Sequence, residues 1–264
     1  MSHDRQLTPR WAPQIDAVFV ASTLAVCLGG ALHRRRLVAA AKPLALTAVI
    51  ARSVPDIARN APLDRALLTG AAVFSLAGDY LMYREEFADD APHRRPATAK
   101  DSTPRGKDDW MRLGALAFGC AHLSYLGLFG RRGGRLSSRR ILPRLAVMGE
   151  PGLLVAAARP ALTPVLGPYG AVLSAMSAMA ADPASAGECS SSGAAATRLR
   201  VGGMLFVISD DLLINRRHLL SGRRRAVTEA VVLATYFGAQ RLLLPTAAGA
   251  GVRRRPARTA SHPR

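Results

Sequence analysis

Cysteine, lysine and aromatic residues are scarce in this chain of 264 residues. Its three cysteines form no Cys-x-x-Cys pair and are too few for a disulfide framework. Only Lys42, Lys100 and Lys107 are lysines, so arginine supplies nearly all of the positive charge. Aromatic residues make up 5% of the chain, whereas nucleic-acid binders commonly place aromatic side chains among their cations for stacking. These shortages exclude a disulfide-stapled secreted domain and weigh against a nucleic-acid partner.

Apolar residues and arginine are what the chain has in quantity. Hydrophobic residues account for 49% of the sequence, far more than a disordered basic tail would contain. The 36 basic residues against 18 acidic ones give a net charge of +18. Arginines cluster between stretches that are almost free of charge, for example at Arg34–Arg36, Arg223–Arg225 and Arg253–Arg255. Basic clusters that flank apolar runs are typical of membrane helices.

Eight apolar runs are long enough to cross a bilayer, which takes about 17–25 residues per helix. Their approximate ranges are 15–32, 37–54, 65–83, 111–129, 141–158, 163–181, 200–215 and 226–248. Two of them, 65–83 and 111–129, are apolar nearly all round, whereas a helix of a soluble protein would need a polar face. The sequence therefore predicts an all-α, polytopic transmembrane helix bundle of about eight spans in the cell membrane.

The segments outside these runs are polar or basic. We predict an N-terminal tail at 1–14, a membrane domain at 15–249 and a basic, disordered tail at 250–264. The segment 84–110 carries both charge signs and three prolines, which predicts a solvated loop, and the small polar residues of 182–198 predict a flexible linker. Lysine and arginine are nearly equal on the two sets of loops, so charge does not orient the protein in the membrane.

Ionisable residues inside a span are costly in lipid and are candidate functional residues. We single out Lys42, Asp79, His122, Glu150, Asp210 and Asp211. Asp79 lies about four residues before the end of the third span, and Asp210 about five before the end of the seventh. Because these two spans run in the same direction, a rise of 1.5 Å per residue puts both carboxylates within roughly 6–8 Å of one interface.

Other polar side chains approach from the same interface. Counted from the span end at this interface, Lys42 and Tyr169 lie within about six residues, His122 and Tyr236 about ten or eleven, and Gln240 about fourteen. Tyr125 shares a helix face with His122. Alone, Tyr169 or Gln240 is better interpreted as a hydrogen bond between helices. Together, these residues predict a single cavity that opens to one face or to its leaflet.

A short internal similarity links the two aspartates. Gly78-Asp79-Tyr80-Leu81-Met82 and Ser209-Asp210-Asp211-Leu212-Leu213 each close a span, which suggests two four-helix halves. The small residue before each aspartate would allow a neighbouring helix to approach closely. Asp211 points about 100° away from Asp210 on a helix, and we expect it to face Arg216 or Arg217.

An ordered set of motifs resembles the YhhN family of lysoplasmalogenases over about 40–243. The motifs are Lys42-Pro43, Phe74-Ser75-x-x-Gly78-Asp79-x-Leu81-Met82, Phe118-x-x-x-His122-x-x-Tyr125, Tyr169 with Met176, Phe206-x-x-Ser209-Asp210-x-Leu212 and Tyr236-x-x-Ala239-Gln240. The resemblance implies a membrane hydrolase that cleaves the vinyl ether bond of a lysoplasmalogen into a fatty aldehyde and a glycerophospho head group, with no cofactor. Two connections, 84–110 and 182–198, are longer than expected for the family.

On this resemblance, Asp79 and Asp210 are the catalytic pair, and which of them is the acid stays open. Protonation of a vinyl ether and capture of the resulting cation by water need one acid and one carboxylate. The substrate is a lysophospholipid or ether lipid. The supporting residues are Lys42, His122, Tyr125, Tyr169, Ser209, Tyr236 and Gln240. Lys42, or arginines at the same face, would hold the phosphate.

Three other functions would account for some of these residues. A zinc-dependent lipid hydrolase needs about three histidines with a carboxylate, yet only His122 of the six histidines lies clearly inside a span, so we predict no metal site. A proton-coupled small-molecule transporter is the main alternative and would use the same aspartates, although such sites lie near the bilayer midplane. A non-catalytic scaffold leaves the intramembrane charges unexplained.

Overall fold

The computed structural model describes residues 11–87, 106–187 and 193–251, and within these ranges the chain forms eight α-helices. They are α1 (Ala12–Ala31), α2 (Arg35–Arg59), α3 (Pro62–Glu86), α4 (Lys107–Arg131), α5 (Ser138–Ala158), α6 (Thr163–Ala180), α7 (Gly193–Leu219) and α8 (Gly222–Ala250). Short 3-10 helices at Pro160–Leu162 and Pro183–Ala186 precede and follow α6. Each predicted span corresponds to one helix, and the all-α fold class is confirmed.

Most helices are longer than the apolar runs that predicted them. Helix α3 continues to Glu86 and α4 begins at Lys107, so both ends of the predicted loop are helical. Helix α7 begins at Gly193, inside the predicted linker. An apolar run marks only the part of a helix that suits hydrocarbon, whereas its polar ends extend to the interface. The first part of the predicted linker contains the 3-10 helix Pro183–Ala186. Residues 88–105 and 188–192 and most of the two predicted tails lie outside the described residues.

Prolines lie inside several helices without ending them. Pro151 follows Glu150 in the middle of α5, and Pro168 lies in α6, and both helices continue through these prolines. Pro164 is in the first turn of α6, where its missing N–H costs nothing. Neighbouring helices in a bundle can cover the backbone groups that a proline frees.

Five of the described helices, α1 to α5, are long and apolar enough to cross a membrane. The chain is therefore a helical membrane protein. Helices α6, α7 and α8 do not reach that level of hydropathy, and that they also cross stays a prediction. Helices α7 and α8 pack along each other, and their partly polar composition fits helices that neighbours shield from lipid.

The helices pack as antiparallel hairpins, α1 with α2, α3 with α4, α5 with α6 and α7 with α8. Helix α2 also packs on α3 and α8, and α6 makes the equivalent contacts with α7 and α4. This correspondence agrees with two four-helix halves. The exception is the first helix of each half, since α1 packs on α8 whereas α5 packs on α7 instead of α4.

The small residue before each aspartate brings a neighbouring helix close. The α-carbon of Gly78 faces the ring of Phe118 on α4, and a β-carbon added at Gly78 would lie 2.7 Å from that ring. Ser209 is buried, and its hydroxyl donates a hydrogen bond of 3.1 Å to the Val232 carbonyl on α8. The expectation of close helix approach at both positions is confirmed.

Candidate active site

Asp79 lies on α3 in a buried ion pair. Its Oδ1 is 3.3 Å from Nζ of Lys42 on α2, and both side chains are at most 10% exposed. The Tyr236 hydroxyl of α8 lies beside the same carboxylate. Gln240, one turn further along α8, donates a hydrogen bond of 3.1 Å to this hydroxyl. With its oxygen already accepting, Tyr236 has its own proton to donate towards Asp79.

Asp210 lies on α7 in different surroundings. The Tyr169 hydroxyl of α6 donates a short hydrogen bond to Asp210 Oδ2. The same hydroxyl is 3.5 Å from Nε2 of His122 on α4, and the His122 ring stands edge-on to Phe206 with centroids 5.0 Å apart. Three helices thus contribute to a polar chain, His122–Tyr169–Asp210, within an aromatic and aliphatic environment.

The two aspartates line the same cavity, although they are 131 residues apart in the chain. This polar cavity has a volume of about 50 Å³, room for one or two water molecules. Six of the nine predicted site residues line it, and these are Lys42, Asp79, Tyr169, Ser209, Asp210 and Tyr236. The other three do not line it.

Those three residues are His122, Tyr125 and Gln240. His122 reaches the cavity through Tyr169, and Gln240 through Tyr236. Tyr125 is buried and stacks on Phe129, with ring centroids 5.9 Å apart. All three are fully or almost fully buried, so His122 and Gln240 act on the cavity only through these neighbours, whereas the buried Tyr125 hydroxyl has no hydrogen-bond partner among the described residues.

A cluster of buried charges that the sequence analysis did not single out forms one wall of the polar cavity. Arg216 of α7 makes a short ion pair with Glu229 of α8 and lies 3.8 Å from Glu86 of α3. The three side chains are at most 10% exposed. The charge of Glu229 inside the eighth predicted span was a signal for this cluster. The partner of that charge becomes visible only when α7 and α8 are packed together.

The same three residues also border a wider polar opening, the vestibule, of about 710 Å³. It lies at the end of the bundle where α1, α3 and α7 end and α2, α4 and α8 begin. Its remaining ionisable lining consists of basic residues, which are His33, Arg35, Lys107 and Arg225. A mixed but mainly positive opening therefore adjoins the two aspartates.

A third cavity, the apolar cavity, lies on the other side of Asp210. It has a volume of about 250 Å³ and lies between α4, α5, α6 and α7. Tyr169 and Asp210 line both this cavity and the polar one, whereas Asp79 lines the polar cavity alone. Asp210 is thus placed between a polar and an apolar space.

The expectation that Asp211 faces Arg216 or Arg217 is wrong. Its Oδ1 accepts a hydrogen bond of 3.3 Å from Asn215, which also donates to Glu150 of α5 at 3.0 Å. Arg216 instead turns inward to Glu229, because α8 presents a buried carboxylate that needs a partner. Asp211 lines none of the three cavities.

Within the residues that the structure describes, no three histidine, cysteine, aspartate or glutamate side chains are grouped as a metal site would need. The ring of His122, the histidine at the site, contacts Tyr169 and Phe206.

Comparison with known families places these residues in a wider group. The model of the YhhN family matches residues 37–247. The chain belongs to the YhhN family. The match contains α3 to α7 complete and nearly all of α2 and α8, and therefore all nine predicted site residues, whereas α1 precedes it. No curated protein and no solved structure matches the chain.

Proposed function

We propose that this YhhN-family membrane protein is a lysoplasmalogenase, a hydrolase of the vinyl ether bond in lysoplasmalogens of the cell membrane. The family is associated with this activity. The observation that carries the proposal is the single cavity lined by Asp79 and Asp210, with an ammonium beside one carboxylate and a tyrosine hydroxyl beside the other. Two carboxyl groups in different surroundings suit acid–base hydrolysis.

The reaction consumes one water molecule and breaks one carbon–oxygen bond. An acid transfers a proton to the β-carbon of the vinyl ether, which leaves an oxocarbenium ion at the α-carbon. Water adds to the α-carbon and loses a proton to a base, which gives a hemiacetal. The hemiacetal collapses to a fatty aldehyde and the glycerol hydroxyl of the glycerophospho head group. In this collapse the proton of the hemiacetal hydroxyl is transferred to the departing glycerol oxygen, and transfer of the proton that the base took from water to the acid restores both groups.

We assign the roles of acid and base from the positions of the two carboxylates. The β-carbon of a vinyl ether is on the hydrocarbon-chain side of the bond, and the α-carbon is on the glycerol side. Asp210 lines both the apolar and the polar cavity, so we assign it the proton transfer to the β-carbon. Asp79 lines only the polar cavity, so we assign it the activation of water and the stabilisation of the cation.

The vestibule supplies a site for the head group. Lys42 is paired with Asp79, so we assign the contact with the substrate phosphate to the vestibule arginines Arg35 and Arg225. Arginine suits phosphate because its planar fork donates two parallel hydrogen bonds. Glu86 in the same opening suits the ammonium of an ethanolamine or choline group.

Aldehyde release from a purified lysoplasmalogen tests the proposal. The detergent-purified wild-type chain is compared with Asp79→Asn, Asp210→Asn and the control Asp211→Asn, which changes a neighbouring carboxylate outside the cavity. We expect loss of release by roughly 100- to 10,000-fold in the first two variants and near-normal release in the control. Release that is abolished by a chelator, or that persists in Asp79→Asn or Asp210→Asn, contradicts the proposal.

The same assay separates the hydrolase from the transporter alternative. A proton-coupled transporter would need both aspartates but would release no aldehyde in detergent solution. Dependence of substrate uptake on Asp79 and Asp210 in vesicles, with no aldehyde formed, would favour that alternative.

A further inference from the structure

The apolar cavity beside Asp210 has a lining suited to hydrocarbon. Helix α4 contributes Met111, Ala115 and Phe118, and α5 contributes a stripe at helical spacing, Leu145, Met148, Gly149, Gly152 and Val155. Helix α6 contributes Leu166, Gly167, Gly170 and Ala171. Tyr169 and Asp210 are the polar side chains of the lining, and both are at the boundary with the polar cavity.

The cavity opens at the surface between α5 and α6. Gly149 and Gly152 on α5 and Gly167 on α6 line it and are exposed. A β-carbon added at any of the three would have no atom within 4 Å. At these three positions, therefore, no side chain fills the space between the two helices. Helix α5 is a candidate membrane span, and only 17% of its most apolar stretch is buried, so this opening faces lipid.

We propose that the apolar cavity holds the hydrocarbon chain of the substrate, which enters sideways from the bilayer between α5 and α6. This inference depends on the proposed function. The occupant is assigned by continuity, because the reacting bond must touch Asp210, and the cavity on the chain side of Asp210 is the apolar one. Gly152 and Gly167 are then specificity-determining residues, since larger side chains there would occupy the path of the chain.

The expected effect of filling the cavity is steric. A hydrocarbon chain that leaves the bilayer passes from one apolar medium to another, so the transfer itself gains little. A side chain that intrudes on the path displaces the vinyl ether from Asp210. Misplacement of a reacting group by about 1 Å can cost about 100-fold in rate. A long chain should therefore lose turnover, whereas a short chain that ends before the obstruction should not.

A graded series at Gly152 tests this inference. Gly152→Ala, Gly152→Leu and Gly152→Phe are assayed with decenyl and octadecenyl lysoplasmalogens, beside the matched control Ala157→Phe, which adds bulk to an exposed position of α5 outside the cavity. We expect the octadecenyl-to-decenyl ratio of kcat/KM to fall stepwise, by about tenfold to 100-fold at Phe, and to stay constant in the control. An unchanged ratio across the series, with active enzyme, overturns the inference and leaves the proposed function standing.

A binding experiment keeps the inference testable if no aldehyde is released. An alkyl-ether lysophosphatidylcholine with a diazirine on its chain, which has no vinyl ether to hydrolyse, is crosslinked to the full chain in nanodiscs and the adducts are mapped by mass spectrometry. We expect adducts at cavity-lining side chains of α5 and α6 such as Met148, Val155 and Leu166, and at least severalfold fewer in Gly152→Phe than in Ala157→Phe. Adducts confined to lipid-facing residues such as Leu153, with equal yield in both variants, overturn it.

Discussion

Asp79 and Asp210 follow small residues in two similar stretches of sequence, yet the surroundings of the two carboxylates differ. Asp79 is 5% exposed and is matched by the ammonium of Lys42. Asp210 accepts a hydrogen bond from Tyr169 and borders an apolar cavity with an open side. The difference begins in the packing of the halves, because α1 packs on α8, whereas α5 does not pack on the corresponding helix α4. One repeated pattern thus supplies a charge-paired carboxylate and a carboxyl group that faces hydrocarbon.

The largest expected difference between the two aspartates is their response to a small carboxylate in solution. Asp79→Ala and Asp210→Ala should each lose roughly 100- to 10,000-fold in aldehyde release. Formate should restore at least about tenfold to Asp79→Ala, because Lys42 remains to bind an anion in the space that is left. No cation pairs with Asp210 among the described residues, so Asp210→Ala should not respond.

The measurement is initial rate against formate concentration, with acetamide as the uncharged control. Rescue of Asp210→Ala but not of Asp79→Ala would reverse the roles proposed for the two residues.

The buried ion pair gives the next largest effect, this time on stability. Lys42→Met leaves the Asp79 carboxylate buried without its partner, which should destabilise the fold by about 3–5 kcal/mol. The double variant Lys42→Met/Asp79→Asn removes both charges and should recover most of that loss. Thermal unfolding in detergent measures both variants.

The matched control is Arg241→Met, which breaks the more exposed pair with Asp16 on α1 and should cost about 0–1 kcal/mol. Equal destabilisation by Lys42→Met and by the double variant would show that the pair does not couple the two side chains.

The smallest expected effect concerns the N-terminal end of α5, which Asp182 anchors. Asp182 accepts backbone hydrogen bonds of 3.0 Å from Arg135 and Ala184 and an ion pair of 2.7 Å from Arg140 on α5. Burial alone would raise the pKa of Asp182, but these donors outweigh it and leave the pKa below its usual value. Asp182→Asn should therefore cost about 1–3 kcal/mol at neutral pH.

The stabilisation by Asp182 should depend on pH in one direction. Because its folded-state pKa is depressed, the contribution is complete above about pH 4, the pKa of an unfolded aspartate, and is lost as the pH falls through the lower folded value. Thermal unfolding of the wild-type chain and Asp182→Asn should differ by a constant amount from neutral pH down to about pH 5 and converge below about pH 4. A difference that grows as the pH falls would contradict the assigned contacts.

That Asp79 and Asp210 lie near one another could be predicted from the sequence, because residue counting along two helices of the same direction puts both at one level of the bundle. The same counting predicted that Lys42, Tyr169 and Tyr236 would lie near them. It could not predict that Lys42 pairs with Asp79, because the partner depends on how α2 rotates against α3. The ends of α3 and α7 were missed since their polar residues resemble a loop.

The apolar cavity was beyond sequence reasoning for another reason. Glycines at 149, 152 and 167 look like ordinary small residues of a packed membrane helix, and small residues usually bring helices together. In this fold they face a gap, because α5 packs on α6 and α7 but not on α4. Whether a glycine closes a contact or leaves a space is decided by the position of the neighbouring helix.

Hydrolysis in heavy water tests whether Asp210 and Asp79 hydrolyse a vinyl ether by proton transfer to its β-carbon. The aldehyde is reduced as it forms and analysed by mass spectrometry. We expect one solvent deuterium on the carbon next to the former carbonyl, with product from the wild-type chain and Asp211→Asn and essentially none from Asp210→Asn. Aldehyde that carries no solvent deuterium, or labelled aldehyde formed at an undiminished rate by Asp210→Asn, would contradict it.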